Sequence, residues 1–276
     1  MNPERRGTYL FNFKKWDVDS LEKLSSKLNL STRYDLRKYP ERILSILTEK
    51  VDQLAIVTLA HFYDPHLCCF TFTYFQLEPT FEEFERIVGR SLKKLNHFPK
   101  FNEEFTPKKI ALALSVYVQV VLSNWDIKGT FKGFSRRFLE DLAMEFEKTD
   151  NWKAFNVVMA LLIHGVMLYP NIDNFMDQIV VEIFLFGNPI PFLLGDIYYS
   201  LHERHGKKGG TLLCCAPLLH AWIMTHLKED GHIFSKELKW SQKLGSITAN
   251  NIKWYIRYWE TIEIIIGCGD FPNVPL

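Results

Sequence analysis

Nine histidines and five cysteines are the side chains of this 276-residue chain best suited to metal binding or nucleophilic attack, and their spacing limits what they can do. His61, His66, Cys68 and Cys69 fall within nine residues, which invites a zinc site. Zinc centres separate paired cysteines by two to four residues so that both thiolates turn toward one ion. Adjacent cysteines entering a strand face opposite sides, so this group reads as packing. His202-Glu203-Arg204-His205 falls one residue short of the zincin spacing, in which two histidines four apart share a helix face. It reads as a helix end whose imidazoles meet the negative end of the dipole. Residues 206–211 hold the parts of a phosphate loop in the wrong order, with lysines ahead of the glycines and a helix, not a strand, in front. Lys207, Lys208, Gly209 and Gly210 still make a candidate anion or nucleic-acid contact, because backbone amides beside two ammonium groups attract oxyanions.

Other nucleophile and base patterns are weaker. Gly133-Phe134-Ser135-Arg136 lacks the closing glycine of a nucleophile elbow. Cys214 and Cys215 sit in an apolar stretch without an adjacent base, as inert buried thiols do. His164, within the most apolar helix, reads as a hydrogen-bonded core residue. The neighbours Glu82-Glu83 and Glu140-Asp141 read as solvated charge on exposed helix faces. These spacings assign no catalytic residue, no cofactor and no metal site, and the chain is not read as an enzyme.

Aromatic side chains crowd the C-terminal region, where Trp240, Trp254, Tyr255, Tyr258 and Trp259 alternate with Lys239, Lys243, Lys253 and Arg257. Such a mixture can stack on and neutralise single-stranded nucleic acid. Trp254, Tyr258 and Ile262 share a helix face and read as core. Trp240, Tyr255, Arg257 and Trp259 are the candidate partner surface, since Trp, Tyr and Arg are enriched in interface anchors.

The elements that must position these residues follow from periodicity. Helical spacing runs through 16–30, 34–51, 52–62, 107 onward, 135–148, 152–169, 176–185, 190–205, 212–227 and 251–266. One extended segment is expected near 68–77, where Phe70, Phe72 and Tyr74 alternate with Thr71 and Thr73. Pro79 ends it, and Thr80 with Glu83 makes a capping box for a helix carrying Phe81, Phe84, Ile87 and Val88. Thr106-Pro107 is a cap followed by a first-turn proline. The fold class is therefore mainly α: a compact multi-helix domain with one small β element and two helical lobes meeting near 128–133, where two glycines and two lysines lie in six residues. Residues 1–15 read as a disordered tail and 16–276 as the domain.

Composition narrows the classes further. Lys and Arg number 33 against 32 Asp and Glu, without the basic excess typical of phosphate-dominated nucleic-acid binding. The longest apolar stretch, 157–169, falls short of the roughly 20 residues needed to span a bilayer, so no membrane partner is expected. An odd cysteine count and no visible secretory signal point to a reducing compartment.

Several longer motifs carry a resemblance. Ala60-His61-Phe62-Tyr63-Asp64-Pro65, the strand-turn-helix over 69–89, Lys132-Gly133-Phe134-Ser135 and Pro170-Asn171-Ile172-Asp173-Asn174-Phe175 belong to the set. So do Gly187-Asn188-Pro189, Tyr198-Tyr199-Ser200-Leu201-His202, Gly209 through Leu219 and Cys268 through Leu276. Together they resemble the plant mobile domain in its legume, transposon-associated form, often labelled aminotransferase-like. No lysine stands in a recognisable pyridoxal-phosphate setting, and that activity is not carried over. Gly89-Arg90-Ser91 departs from the family's apolar continuation. The resemblance implies a mostly helical, non-enzymatic interaction module derived from a mobile element. It further implies a nuclear location, a role in transposon silencing or gene regulation, and a phosphatase-like protein partner. The alternative is a nucleic-acid-binding module using the Lys207-Lys208 loop and the basic-aromatic C-terminal region, and an enzyme of unknown type ranks third.

Overall fold

Helix starts in this chain are set by short polar side chains that accept the first unpaired amides. In the computed structural model, which describes residues 9–15, 19–26, 51–88, 106–228, 235 and 237–254, Asp52 caps α2 (Gln53–Ala60) by accepting from Leu54 and Ala55 at 2.9 and 3.3 Å. It follows α1 (Asp19–Ser26) in chain order among the described residues. Thr80 and Glu83 close the capping box of α3 (Phe81–Val88) reciprocally: the Thr80 amide donates to Glu83 at 2.9 Å and the Glu83 amide to Thr80 Oγ1 at 3.3 Å. Thr106 caps α4 (Pro107–Leu114), with proline in the first turn, and α5 (Val118–Asn124) follows. Ser135 caps α6 (Arg136–Lys148) and Asn151 caps α7 (Trp152–Ile163). The caps expected at Thr80 and Thr106 are both present, and those of Asp52, Ser135 and Asn151 add to them.

α7 is buried on nearly every side, as its apolar composition requires, and it runs into a π-helical turn, His164–Leu168. Beyond it come α8 (Gln178–Phe186), capped by Asp177 and ended by Gly187 in the left-handed region, α9 (Ile190–Gly206), α10 (Ala216–His226) and α11 (Trp240–Gly245). Buried apolar side chains from Phe11 to Ile252 form one cluster. No helix of the described residues is long and apolar enough to cross a membrane.

The chain is mainly α, but three small sheets replace the single β element expected. The extended segment near 68–77 is a meander of β2 (Tyr63–Asp64), β3 (Cys69–Thr71) and β4 (Gln76–Leu77). A tight turn interrupts it, with the Phe72 amide donating to Phe75 and the two rings stacked at 4.8 Å. The stretch 128–133, expected to join two lobes, is the turn of a hairpin made by β5 (Asp126–Lys128) and β6 (Phe131–Ser135). Gly129 takes φ +64° there, and β6 also pairs with β7 (Phe175–Asp177). In place of a tail throughout 1–15, Leu10–Phe13 form β1, which pairs in parallel with β8 (Gly209–Leu212).

Gly133 sits where β6 and β7 approach so closely that a Cβ would stand 1.9 Å from Met176 O. Gly133→Ala must therefore push the strands apart and should lower unfolding stability by about 2–4 kcal/mol. Urea denaturation checks this, and a midpoint equal to the parent's would contradict the packing described.

Candidate functional site

Glu83 is the most consequential ionisable side chain in the core, and it is not the solvated charge that its position beside Glu82 suggests. Its exposure is 7 %. One carboxylate oxygen accepts from the Thr80 amide and from Trp222 Nε1 at 2.8 Å, while the other accepts from His226 Nε2 at 2.9 Å. His226 Nδ1 lies 3.3 Å from the Lys253 carbonyl. Trp222 and His226 are one turn apart on α10, so both reach the same carboxylate, and neither is exposed. A carboxylate and an imidazole in contact are acid-base parts, yet every polar atom here meets another part of the fold. Nothing local announces the pairing, because 139 and 143 residues separate the partners. The available signal was a Trp and a His four apart in an apolar helix, each in need of an acceptor.

Glu140 is a second correction. It is half-buried and accepts from Arg136 Nε at 2.7 Å and from Ser20 Oγ at 2.5 Å, joining α6 to α1.

Histidine and cysteine placement follows packing. His61 has its ring nitrogens 2.8 Å from the Val57 and Tyr9 carbonyls, tying α2 to the segment entering β1. His205 Nε2 meets Ala60 O at 2.8 Å, and burial holds its imidazole below the usual range. His164 is buried with Nδ1 2.8 Å from Ala160 O. Cys214 and Cys215 are fully buried, which raises both thiols, Cys215 to about 12. Such groups are not thiolates near neutrality. Among the described residues no three His, Cys, Asp or Glu side chains converge to hold a metal ion.

The candidate anion loop is only partly available. Lys207 Nζ is 2.7 Å from Glu203, which Arg204 also engages, and the two cations hold the Glu203 carboxyl below its ordinary value. Gly209 and Gly210 pair with Leu10 and Phe11 in the parallel sheet, while Lys208 stays exposed at φ +56°. On the candidate partner surface, the Trp240 indole donates to Asp52 at 2.7 Å and Lys243 sits 4.7 Å over its ring, so this tryptophan is a tertiary contact. Tyr255, Arg257 and Trp259 lie outside the described residues.

Sequence reasoning missed a cleft that gathers cations. It has a volume of about 190 Å³ and lies between the end of β1, the first residue of α6, the π turn and residues 170–176. Lys14, Lys15, Arg136 and Asp173 are its charged lining. Lys14 pairs with Asp173 at 2.9 Å and holds that carboxyl below the usual carboxylate range. Lys128, on the neighbouring hairpin, donates to the Asp173 carbonyl. Arg136 lies more than a hundred residues beyond the adjacent Lys14 and Lys15, so no window of sequence brings the three together.

A family model for a domain of unknown function, DUF7745, matches residues 21–276. The chain belongs to the DUF7745 family. No curated protein and no solved structure matches it.

Two substitutions test the core assignments. Glu83→Gln keeps the shape but places an amide donor where the carboxylate accepts from three donors. A loss of about 2–4 kcal/mol in urea unfolding is expected, and an unchanged midpoint would remove the carboxylate from its central role. Asp196 has a buried, unpaired Oδ2 among the described residues, and burial raises its carboxyl to about 7. Its folded-state value lies above the unfolded one, so its contribution is complete below about pH 4 and is lost as pH rises through about 7. Asp196→Asn should match the parent near pH 4 and exceed it by roughly 2–4 kcal/mol near pH 8. Parallel pH profiles for the two proteins would contradict this.

Proposed function

We propose that this DUF7745 chain is a non-enzymatic interaction module whose partner is a protein. The observation that carries it is the surface of α4, α5 and the β5–β6 hairpin. Leu112, Tyr117, Leu122, Ile127 and Phe131 are all exposed there within twenty residues. Exposed Lys108, Lys109, Lys128 and Lys132 accompany them, against Asp126 as the one acid between 107 and 133. Five large apolar side chains exposed within one short stretch of chain favour a contact surface over scattered exposure. Their company of lysines suits an acidic segment carrying apolar side chains.

The core gives independent support. Glu83, His226, His61 and His205, the groups best equipped for acid-base work, hold backbone and side-chain partners within the fold. Resemblance to the plant mobile domain favours a nuclear protein derived from a mobile element, with a phosphatase-like protein as partner. The nucleic-acid alternative draws less support, because Glu203 engages Lys207 and Asp52 engages Trp240.

Affinity capture from plant nuclear extract, comparing the parent chain with a Tyr117→Ser, Phe131→Ser double variant of equal melting temperature, tests the proposal. The parent should recover a reproducible protein partner, and the variant should recover at least about tenfold less, as loss of aromatic anchors implies. Equal recovery by both proteins, or recovery abolished by nuclease, would overturn it.

A further inference from the structure

We propose that the cleft between the end of β1 and the turn preceding β7 is an oxyanion site that receives a phosphate monoester borne by a side chain of a protein partner. It deepens the interaction proposal above and rests on it. Three cations and one acid line the cleft, and with Glu140 paired to Arg136 beside it the local balance is still positive, by one charge. A phosphate monoester carries nearly two negative charges at neutral pH. Glu140 and Ser20 engage the guanidinium of Arg136, which is 7 % exposed, so its charge stands in a set place before any ligand arrives. Fixing the cation beforehand removes an ordering cost from binding.

Lys14 already holds an anion, the Asp173 carboxylate at 2.9 Å. The Asp173 side chain is 79 % exposed, so it can rotate outward as a phosphate takes the same place beside the ammonium. Gly165 and Val166 of the π turn form another wall, and π turns recur at functional sites. The volume of about 190 Å³ lies below the range typical of drug-sized ligands and leaves room for one hydrated tetrahedral anion. A run of nucleic-acid diesters would need several such positions and a basic excess, whereas the whole chain carries +1. Lys128 joins the cleft rim to the hairpin that exposes Ile127 and Phe131, so a peptide could seat its phosphate in the cleft and its apolar side chains on the hairpin.

The test is calorimetric titration of the full chain at low salt with O-phosphoserine, inorganic phosphate and a single-stranded oligonucleotide as separate probes. O-phosphoserine should bind at a single saturable site. Lys14→Met should weaken it at least about tenfold, and Lys153→Met, at an exposed position on α7 outside the cleft, should leave it unchanged. Asp173→Asn should tighten it by about three- to tenfold, because a competing negative charge has gone. A purely structural role for the cleft predicts no such gain. Absence of saturable phosphoserine binding to both the parent and Asp173→Asn would overturn the site, as would equal affinity in Lys14→Met. So would an oligonucleotide that displaces phosphoserine and binds more tightly. Partner capture that persists while phosphoserine fails to bind sinks this site and leaves the interaction proposal standing. Phosphoserine binding with no partner captured supports the site and counts against that proposal alone.

Discussion

A carboxylate taken out of water must be met by donors from every side, and Glu83 is met by three. Burying the charge costs several kcal/mol, and only good geometry in all its contacts offsets that cost. Its donors come from the turn before α3 and from two successive turns of α10, so the two helices cannot slide or rotate independently. The same registration brings Phe70 of the meander within 5.4 Å of the Trp222 ring. It also sets the turn at Pro79, whose carbonyl accepts from Tyr198 on α9. One capping residue thereby ties α3 and the meander before it to α9 and α10, more than a hundred residues further along the chain.

Polar groups elsewhere divide into two populations. Inside, histidines and short polar side chains terminate helices or bridge them, and the two buried thiols meet apolar surroundings that keep them protonated. Around the cleft, cations gather where the chain ends β1, begins α6 and turns at the β5–β6 hairpin, Arg136 buried and Lys128 exposed. Asp173 stands between these groups, paired with Lys14 through its side chain and with Lys128 through its carbonyl.

Local signals in the chain were strong wherever one residue answers to another within a turn. Thr80 with Glu83, Thr106 with Pro107, and Gly187 after α8 all set helix boundaries, because the unpaired amides and carbonyls at helix ends choose partners within a few residues. The apolar run of α7 likewise declared its central burial. Prediction faltered where extended segments pair across the chain. Leu10–Phe13 find their partner near residue 210, and Gly209 serves that pairing with φ +130° where a Cβ would meet Leu10 O at 2.9 Å. Of the glycines at 128–133, read as a lobe boundary, Gly129 makes the hairpin turn and Gly133 the close approach of β6 to β7, and glycine suits a turn, a close approach or a linker equally well.

By itself, then, the amino-acid order determined the mainly helical class, the caps, the central helix and the want of a membrane-spanning helix among the described residues. Each of these depends on neighbours within about four positions, a range over which helix geometry is invariant. Tertiary structure alone decided that Glu83 is buried against Trp222 and His226, and that Lys14, Lys15 and Arg136 share a cleft with Asp173. Burial and charge convergence are properties of surfaces brought together by folding, and side chains more than a hundred residues apart carry no local mark of the meeting.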